Sequence, residues 1–589
     1  MTSPGDPLVL AEDALARGDN LEAYDIAVSA REEGIEAPRL DYVAALALAR
    51  MDDTEMALDY YERTGLGEID DDDILALWGR LKKDLAENAS GDEQAVLFAE
   101  ASAAYLELYK TKKSYYTGIN AATTALLAGD TENASALAKD ILEDPEVAKP
   151  KGFYATATAA EANVLLDNDI EARQSIADAI RWSDAGVGSK ASTFRQMMLI
   201  ARIVPDKEAI IAPLLDMLRP SPVLVYTGHM FVENSAAEAA LSVQIDEAIK
   251  ALKPDTAYGA LACGSDIMVA EAILKRGLEL HLVFPFEIDD FLEQSVLPGG
   301  ESWMPRFQHC LDRAARVSLA TDMKFIGDPN MFSYGSAVAM GLARMRANHL
   351  RTDAIQLAIV KPGDAAKAAG TSSDVAFWQN LGHESHVIDP GDINRDLDWP
   401  PKIEMPEGVT RVAHSMIFAD FAGFSRLSEA VLPVFVNEIL GRTGTLLDEF
   451  EDEVLYRNSW GDALYAVIAS PTDAAEIVLQ LQARLSKMPE QLLDCAANCG
   501  MRIGVHHGPI YRGFDAVIRK PSFFGTEVTR TARIEPVTPT GEVYATEAFA
   551  AILALEQEQR FGTHYVGKVQ LAKNYGQLAM YKLSRLPLG

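Results

Sequence analysis

The sequence predicts a multidomain protein with three fold classes in succession: an all-α region of helical repeats, an α/β doubly wound region, and an α+β region at the C-terminal end. Three observations predict this order. Ala- and Leu-rich segments separated by polar turns recur along residues 1–215. From residue 218 apolar strands alternate with helices, and after residue 409 hairpin-forming strands accompany a long helix. A change in hydrophobic periodicity along one chain indicates separate domains of different class.

The composition excludes several kinds of partner. The 589 residues include 53 Lys and Arg against 87 Asp and Glu, which gives a net charge of −34. A field of this sign repels phosphate backbones and anionic lipid, so neither a nucleic acid nor a membrane is an expected partner. The first residues show no basic stretch followed by an apolar one, and no apolar run reaches 18 residues. We therefore expect a cytoplasmic protein.

Residues 1–215 contain four segments with one pattern: an Ala-rich helix, a polar turn and a second Ala-rich helix. The turns centre on Gly18-Asp19, Asp52-Asp53, Gly129-Asp130 and Asn168-Asp169. Small residues let paired helices pack closely, and the aspartate after the turn can cap the second helix. The region resembles a tetratricopeptide-repeat array, with a generic helical bundle as the alternative. Either fold offers a surface for a partner protein.

Residues 218–392 alternate between predicted strands and predicted helices. The segments PVLVYTGHM, TAYGALACGSD and LELHLVFPF have the character of strands, and SAAEAALSVQIDEAIKAL and IMVAEAILKRG that of the helices between them. This alternation predicts a parallel, doubly wound sheet, in which ligands bind beyond the carboxyl ends of the strands. The layout, together with YTGH and GALACGSD, resembles the Rossmann-like sensor domains of the SLOG (lysine-decarboxylase-like) superfamily, which bind or process nucleotides.

Two glycine turns at this edge of the sheet are candidate ligand contacts. They are Gly228-His229 and Gly264-Ser265-Asp266. A glycine turn that leads into a helix exposes backbone N–H groups to an anion, and the resemblance implies that the ligand is a nucleotide. The alternative is structural, with the glycines required for tight turns and His229 packed in the core.

Residues 393–408 are rich in proline without periodicity, which predicts a linker before a third domain at 409–589. In that domain the strand HSMIFAD leads to Asp420, and two strands flank Gly461-Asp462, which is a hairpin signal. Neighbouring strands lie about 5 Å apart, so Asp420 and Asp462 can meet in one site. Two carboxylates and phosphate oxygens suit Mg²⁺ or Mn²⁺, although aspartate in a hairpin turn is usually only turn chemistry.

Four blocks in the third domain carry a family resemblance. Thr529 and Arg533 share a helical face, and a fixed guanidinium there could stabilise charge on a transferring phosphoryl group. IFADFAGFS, NSWGDALYAV, RIGVHHGPI and FFGTEVTRTARIE together resemble the class III nucleotidyl cyclase catalytic domain. The resemblance implies a ferredoxin-like α+β sandwich that works as a head-to-tail homodimer, with active sites at the dimer interface.

The resemblance also implies residue roles. Asp420 and Asp462 match the two metal-binding aspartates, and Phe421 matches the position whose backbone carbonyl faces a metal. Arg533 matches the transition-state arginine. Lys573 is a candidate for the phosphate-binding lysine, with a solvated surface lysine as the alternative. Two ions of Mg²⁺ or Mn²⁺ per site would hold the triphosphate while the ribose 3′-oxygen attacks the α-phosphorus and pyrophosphate leaves.

Three positions depart from the family pattern. Asn458 stands where adenylate cyclases usually have Lys, and Ser522 where they usually have Asp; the Glu and Cys of guanylate cyclases match neither. Thr529 replaces the ribose-orienting Asn. Asn458 and Ser522 each donate and accept hydrogen bonds, so they could read adenine, guanine or a pyrimidine. His506 and His507 are expected at a strand end, as packed or solvated side chains more than as proton-transfer groups.

Three functions remain open at this point. The first is a cyclase that converts ATP to 3′,5′-cyclic AMP and pyrophosphate, regulated by the sensor and scaffold regions before it. The second is a guanylate or pyrimidine cyclase of bacterial defence signalling. The third is a catalytically inactive cyclase-like domain that serves as a nucleotide-binding scaffold. The retention of Asp420, Asp462 and Arg533 counts against the third function, and the change to Thr529 counts for it.

Overall fold

The computed structural model describes residues 6–363, 369–397, 406–486, 500–556 and 560–586. The chain divides into two compact units. The first is formed by residues 1–221 with 348–352, and the second by residues 222–347 with 353–589. Of the helices within the described ranges, none is long and apolar enough to cross a membrane.

The first unit is built from α-helices joined by short turns. Consecutive helices pack against each other, and their Ala-rich faces form the core. The helices are α1 Pro7–Arg17, α2 Asn20–Glu32, α3 Pro38–Arg50, α4 Thr54–Arg63, α5 Asp72–Asn88, α6 Gly91–Lys112, α7 Tyr115–Leu127, α8 Thr131–Glu143, α9 Pro145–Ala148, α10 Phe153–Leu165, α11 Asp169–Ala179, α12 Val187–Ile203 and α13 Glu208–Leu218.

The turn aspartates cap helices at three of the four predicted turns. The side chains of Asp19, Asp53 and Asp130 accept backbone N–H groups in the first turns of α2, α4 and α8. At the fourth turn the cap position belongs to Asn168, whose side chain makes no capping bond, and Asp169 is already the first helical residue. The expected aspartate cap is therefore wrong there: Asp167 takes the left-handed conformation that Gly18, Asp52 and Gly129 take at the other turns, so the cap position falls on Asn168.

The second unit begins with a six-stranded, wholly parallel sheet in the order β4-β3-β2-β1-β5-β6. This confirms the predicted doubly wound class, and the strand order reverses between β1 and β5. The elements are β1 Val223–Gly228, α14 Ser235–Leu252, β2 Thr256–Gly259, α15 Ser265–Lys275, β3 Glu279–Phe284, α16 Ile288–Ser295, α17 Trp303–Arg313, β4 Arg316–Leu319, α18 Asn330–Leu350, β5 Ala354–Ile359, α19 Thr371–Asn380 and β6 Ser385–Ile388.

The start of the predicted linker packs onto this sheet region. The backbone carbonyl of Asn394 accepts the N–H of Val232 at 2.8 Å, and Ile393 packs against the apolar core. Residues 398–405 of the same segment lie outside the described residues.

The C-terminal part of the second unit is an α+β fold around an eight-stranded sheet. The strand order is β13-β14-β12-β10-β7-β9-β8, and β11 pairs with β10. The elements are β7 Thr410–Ala422, α20 Leu432–Val434, α21 Gly441–Glu449, β8 Val454–Trp460, β9 Ala463–Ile468, α22 Pro471–Leu485, β10 Gly500–Asp515, β11 Lys520–Phe524, α23 Thr526–Ile534, β12 Val543–Thr546, α24 Glu547–Glu556, β13 Phe561–Gln570 and β14 Gln577–Arg585.

The central strands β7 and β10 separate two apolar layers. Alternate residues of β7 face α21 and α22 on one side, among them Ile417 and Phe421. The other side of the strand carries Met416 and Phe418, which pack towards β11 and Val528 of α23. Because side chains alternate along a strand, Asp420 points to the same side as Phe418, the side that α23 covers.

Two sequence expectations in this part are wrong. The strand that contains His506 and His507 does not end at His-Gly-Pro, because β10 stays paired with β7 through Pro509 and beyond. Both histidines therefore lie in the middle of a strand. The single long helix after Asp420 is instead a 3₁₀ turn, the short α20, a π-helical stretch at Phe435–Leu440 and then α21.

Candidate active site and a second cavity

The two candidate metal-binding aspartates meet at one end of the central strands. Asp420 lies in β7 opposite Arg502 of β10, and the pairing of β7 with β9 brings Asp462, at the tip of the β8–β9 hairpin, next to it. Burial and the neighbouring Asp420 carboxylate raise the pKa of Asp462. Phe421 follows Asp420, and its buried ring packs on Phe435 at 5.0 Å between centroids. Carboxylates that repel each other in this way favour a cation between them.

Two residues that the sequence analysis missed complete this charge cluster. Arg502 places Nη2 2.7 Å from Oδ2 of Asp420 and 2.8 Å from Oε1 of Glu535. Burial raises the pKa of Glu535 to about 7, although Arg502 acts in the opposite direction. Pairing the strands MRIGV and IFADF in antiparallel register would have placed Arg502 opposite Asp420. Within the described ranges, no group of three or more His, Cys, Asp and Glu side chains is arranged to hold a metal.

Helix α23 presents Thr529 and Arg533 on its outer face. Its buried positions are Glu527, Arg530, Thr531 and Ile534, so residues 529 and 533 lie on the opposite side of the helix. In the part of the chain that the structure describes, Arg533 makes no hydrogen bond or ion pair. The turn Ala572–Asn574 packs against α23 and carries Lys573 in a left-handed conformation, with φ 61°. The structure therefore brings the lysine near the helix that bears the arginine.

The two residues expected to read the base lie on different strands. Asn458 is half-buried in β8, and its side-chain oxygen accepts the N–H of Ser459 at 2.9 Å. Ser522 lies in β11 beside Phe523, whose ring is 6.2 Å from that of Tyr456. Because neighbours alternate along a strand, Ser522 points away from the face that Phe523 and Tyr456 share. Asn458 follows Tyr456 by two residues in β8 and therefore lies on the same face of that strand as Tyr456.

Both histidines of β10 are packed inside the protein. His506 places Nδ1 2.7 Å from Oγ1 of Thr546 and Nε2 2.9 Å from Oε2 of Glu527. Burial raises the pKa of Glu527, but His506 and Arg530 outweigh it and lower the pKa to about 2. His507 bonds Ser415 through Nδ1, and burial first, then His506, lowers its pKa to about 3. These residues form a structural network.

The middle region contains a cavity of about 540 Å³ at the carboxyl ends of its strands. Gly228, His229 and Asp266 line it, at the ends of β1 and the start of α15. This is the edge of the sheet at which the sequence analysis expected a ligand. Arg395, just beyond the sheet, also lines the cavity and lies 3.3 Å from Nε2 of His229.

The glycines at this edge are required by close packing of the chain on itself. A Cβ at Gly264, where φ is +89°, would lie 2.5 Å from the ring of Phe231. A Cβ at Gly228 would lie 2.2 Å from that of Ser265. The packing interpretation accounts for both positions, and a nucleotide at these turns stays a prediction.

Two parts of the chain match known protein families. Residues 410–585 match the model of the adenylate and guanylate cyclase catalytic domain, and residues 19–126 match that of Tetratricopeptide Repeats-Sensor. The resemblances drawn from both ends of the sequence are thereby confirmed. The chain carries a class III cyclase catalytic domain behind a tetratricopeptide-like sensor region. The likeness of residues 218–392 to SLOG domains stays a prediction.

Solved structures of cyclases resemble the C-terminal part of the chain at low identity. The adenylyl cyclase CyaB from P. aeruginosa is 18% identical over 31% of this chain and 99% of its own, with a TM-score of 0.27. The guanylate cyclase domain of a protein from Catenaria anguillulae, in complex with GTP, is 16% identical over 30% of this chain and 97% of its own, with a TM-score of 0.26. No curated protein matches the chain.

Proposed function

We propose that the C-terminal domain is an active nucleotidyl cyclase that converts ATP to 3′,5′-cyclic AMP and pyrophosphate. The observation that carries the proposal is the pair Asp420 and Asp462, which lie together at the end of β7, where burial and then the charge of Asp420 raise the pKa of Asp462. Adenine is the proposed base because the Asn458 amide can both donate to it and accept from it, as amides do at adenine edges elsewhere. Guanine or a pyrimidine is the alternative.

The residues present fit a divalent cation. Asp420 and Asp462 supply two hard oxygen donors, and the backbone carbonyl of Phe421 would supply a third. Arg502 neutralises part of the charge of the two aspartates. The remaining oxygen ligands of the cation would come from the triphosphate. Two Mg²⁺ or Mn²⁺ ions, when bound, would neutralise the triphosphate and lower the pKa of the ribose 3′-hydroxyl.

The protein's own groups act by position and charge. In the proposed reaction the ribose 3′-hydroxyl gives its proton to water and its oxygen forms a bond to the α-phosphorus. The bond from that phosphorus to the bridging oxygen breaks, and pyrophosphate leaves with the electron pair of that bond. Arg533 would stabilise the negative charge that grows on the α-phosphate, and Lys573 would hold the terminal phosphates. Thr529, one turn before Arg533, would contact the ribose through its hydroxyl.

The proposed active form is a homodimer joined through the cyclase domain. Asp420 lies on the side of the sheet that α23 covers, whereas Arg533 lies on the outer face of α23, so one chain does not offer both to one substrate. The β10–β11 hairpin exposes apolar side chains that a partner could cover, with Phe514 63% and Val517 91% exposed. Exposed apolar groups of this kind mark association surfaces.

The regulatory part of the proposal concerns the region before the cyclase. The helical pairs of the first unit provide a surface for a partner protein, as stacked helical repeats do elsewhere. A partner that favours one arrangement of the two cyclase domains would change the fraction of complete active sites.

The decisive experiment is turnover by the full chain. The protein is incubated with Mn²⁺ and each of the four ribonucleoside triphosphates, and the products are identified by mass spectrometry. Asp420→Ala should abolish product, and Asp452→Ala, which removes an exposed carboxylate, should not. Formation of cyclic AMP would support the proposal. Formation of cyclic GMP, CMP or UMP would show that the substrate is one of the alternative triphosphates. Absence of any product would favour the inactive scaffold.

A mixing experiment tests the shared site. Asp420→Ala and Arg533→Ala should each be inactive alone. If the two residues serve one substrate from different chains, a mixture of both variants regains about a quarter of the wild-type rate, because half of the dimers are mixed and each has one intact site. No recovery, with chain exchange verified, would place both residues in the same chain's site.

A further inference from the structure

The cavity of the middle region has a built interior with aromatic walls and two buried carboxyl groups. It opens at the carboxyl ends of β1, β2 and β3, beside the point between β1 and β5 at which the strand order of the sheet reverses. Phe291, Phe325 and Phe332 form one wall, and the rings of Phe325 and Phe332 are 5.4 Å apart. Cavities at this position of a doubly wound sheet are the usual ligand sites of the fold.

The first carboxyl group belongs to Asp374 of α19. Its Oδ2 accepts hydroxyl groups from Thr227 at the end of β1 and Ser336 of α18, each at 3.0 Å. The side chain is only 6% exposed. Burial raises its pKa to about 7, against the lowering effect of the two hydroxyl groups. A cation that enters the cavity would stabilise the ionised form of such a buried carboxyl group.

The second carboxyl group belongs to Asp266 in the first turn of α15. One oxygen accepts the N–H of Ala262 at 3.4 Å, and the other, Oδ1, is buried without a well-formed hydrogen bond to a described residue. Burial raises the pKa of Asp266 well above its usual range, against the lowering effect of the nearby backbone N–H groups of Ala262 and Gly228. Neither Asp266 nor Asp374 makes an ion pair with a described side chain. An unsatisfied buried oxygen is costly, and a ligand that donates to it removes the cost.

These features select a positively charged ligand over a phosphate. Two N–H groups at the start of α15 are already bonded within the protein: that of Ser265 donates to the carbonyl oxygen of His229 at 3.2 Å, and that of Ile267 to the carbonyl oxygen of Ala262 at 3.3 Å. Arg395 also lines the cavity, beside His229, but the two carboxyl groups of Asp374 and Asp266 outnumber it and disfavour an anion at their own positions. Aromatic rings attract a planar cation through their faces, and carboxylates accept its N–H groups.

The same segments that line the cavity touch the catalytic helix of the cyclase domain. Thr321 donates its hydroxyl to Glu527, and Asp322 pairs with Arg530, both of α23. A few residues further on, Phe325 lines the cavity. Tyr334 of α18 places its hydroxyl 2.9 Å from the carbonyl oxygen of His507 in β10.

We propose that this cavity is an effector site for a planar organic cation with N–H donors, such as an amidinium or guanidinium group, and that its occupant acts on α23 through Thr321 and Asp322. Any effect of the ligand on the rate of turnover rests on the proposed cyclase function. Binding of the ligand to the cavity and the response of α23 do not rest on it.

Binding is tested by isothermal titration calorimetry of the full chain without metal or triphosphate. Benzamidine is the probe, and benzamide is its neutral counterpart of nearly equal shape. We expect benzamidine to bind at least tenfold more tightly than benzamide. Asp374→Asn and Asp266→Asn should each lower the affinity for benzamidine at least tenfold. Asp389→Asn, which changes a carboxylate outside the cavity lining, should leave that affinity unchanged. Equal binding of benzamide, tighter binding of AMP, or unchanged affinity in both cavity variants would overturn the proposal.

The link to the cyclase domain is tested by hydrogen–deuterium exchange of the peptide that covers α23. In the wild type, benzamidine should change the hydrogen–deuterium exchange rate of this peptide at least twofold. Thr321→Val, which keeps the shape but removes the hydroxyl donor, should abolish that change while leaving benzamidine affinity within twofold. An equal response in Thr321→Val, or none in the liganded wild type, would refute the link. A chain without any cyclase activity would leave both readouts intact, so the two proposals can fail separately.

Discussion

Replacing Asp374 with asparagine should stabilise the protein at pH 8 and change its stability little at pH 4. Asp374 is buried, and its pKa rises from the ordinary 3.8 to about 7, chiefly because of burial. A raised carboxyl pKa means that the folded protein holds the proton more tightly than the unfolded chain. The wild type therefore loses stability as pH rises from about 4 to about 7, and asparagine, which does not titrate, removes that loss.

The size of the effect follows from the shift. A rise from 3.8 to about 7 corresponds to at most about 4 kcal/mol above pH 7. For a domain of 150–250 residues this is roughly 8–15 °C in the thermal midpoint. Asp266, His229 and Arg395 also line the cavity and are the same in both proteins, so the comparison isolates the change at residue 374.

The assay is thermal unfolding of both proteins at several pH values, followed by tryptophan fluorescence. Trp378 lies one turn after Asp374 in α19, fully buried, with its ring N–H bonded to the carbonyl oxygen of Glu384 at 2.9 Å. It reports unfolding of this part of the chain. A difference in midpoint that is the same at pH 4 and pH 8 would refute the reasoning, because it would mean that Asp374 does not titrate between them.

Three further predictions concern the cyclase domain and the repeats. Arg533→Ala should lower kcat at least about 100-fold with little change in KM, since its charge is needed mainly in the transition state; steady-state kinetics in which only KM rises would contradict this role. Val517→Asp should convert the dimer to an inactive monomer, and an active monomer in light scattering would exclude the proposed interface. Asp130→Ala should cost about 1 kcal/mol through loss of the cap on α8, and an unchanged thermal midpoint would show that solvent replaces the cap.

The fold classes were accessible from the sequence because periodicity is a local property. Helix α14 spans Ser235–Leu252, the same residues that the pattern indicated, and the Gly461-Asp462 hairpin lies where the turn chemistry placed it. The edge strands β4 and β6 gave no comparable signal because they are partly exposed, whereas β2, equally short, is buried throughout and carries an apolar pattern. The break of the predicted long helix into α20, a π-helical stretch and α21 escaped the pattern, because apolar spacing alone does not distinguish these backbone conformations.

The site was accessible only in part, because several of its features depend on pairing between distant strands. Asp420 and Asp462 carry recognisable motifs. Arg502 and Glu535, which form the ion pairs around them, do not, and Arg502 becomes visible only when β10 is aligned with β7. The prediction that the strand ends at His507 was wrong for the same reason. The strand continues past Pro509 because it stays paired with β7, which the local residues do not reveal.

Helix α23 connects three parts of the proposed mechanism, and this constrains how regulation would act. Its inner face meets the middle region through Glu527 and Arg530, and its outer face carries Arg533. Directly after it, Glu535 pairs with Arg502, which holds Asp420. A small shift of this helix would therefore move the proposed transition-state arginine, Arg533, and the partner of the proposed metal-binding carboxylate of Asp420 together. Under the proposed function, a ligand that acts through Thr321 should change kcat more than KM, because the groups it displaces stabilise the reacting phosphate and not the resting substrate.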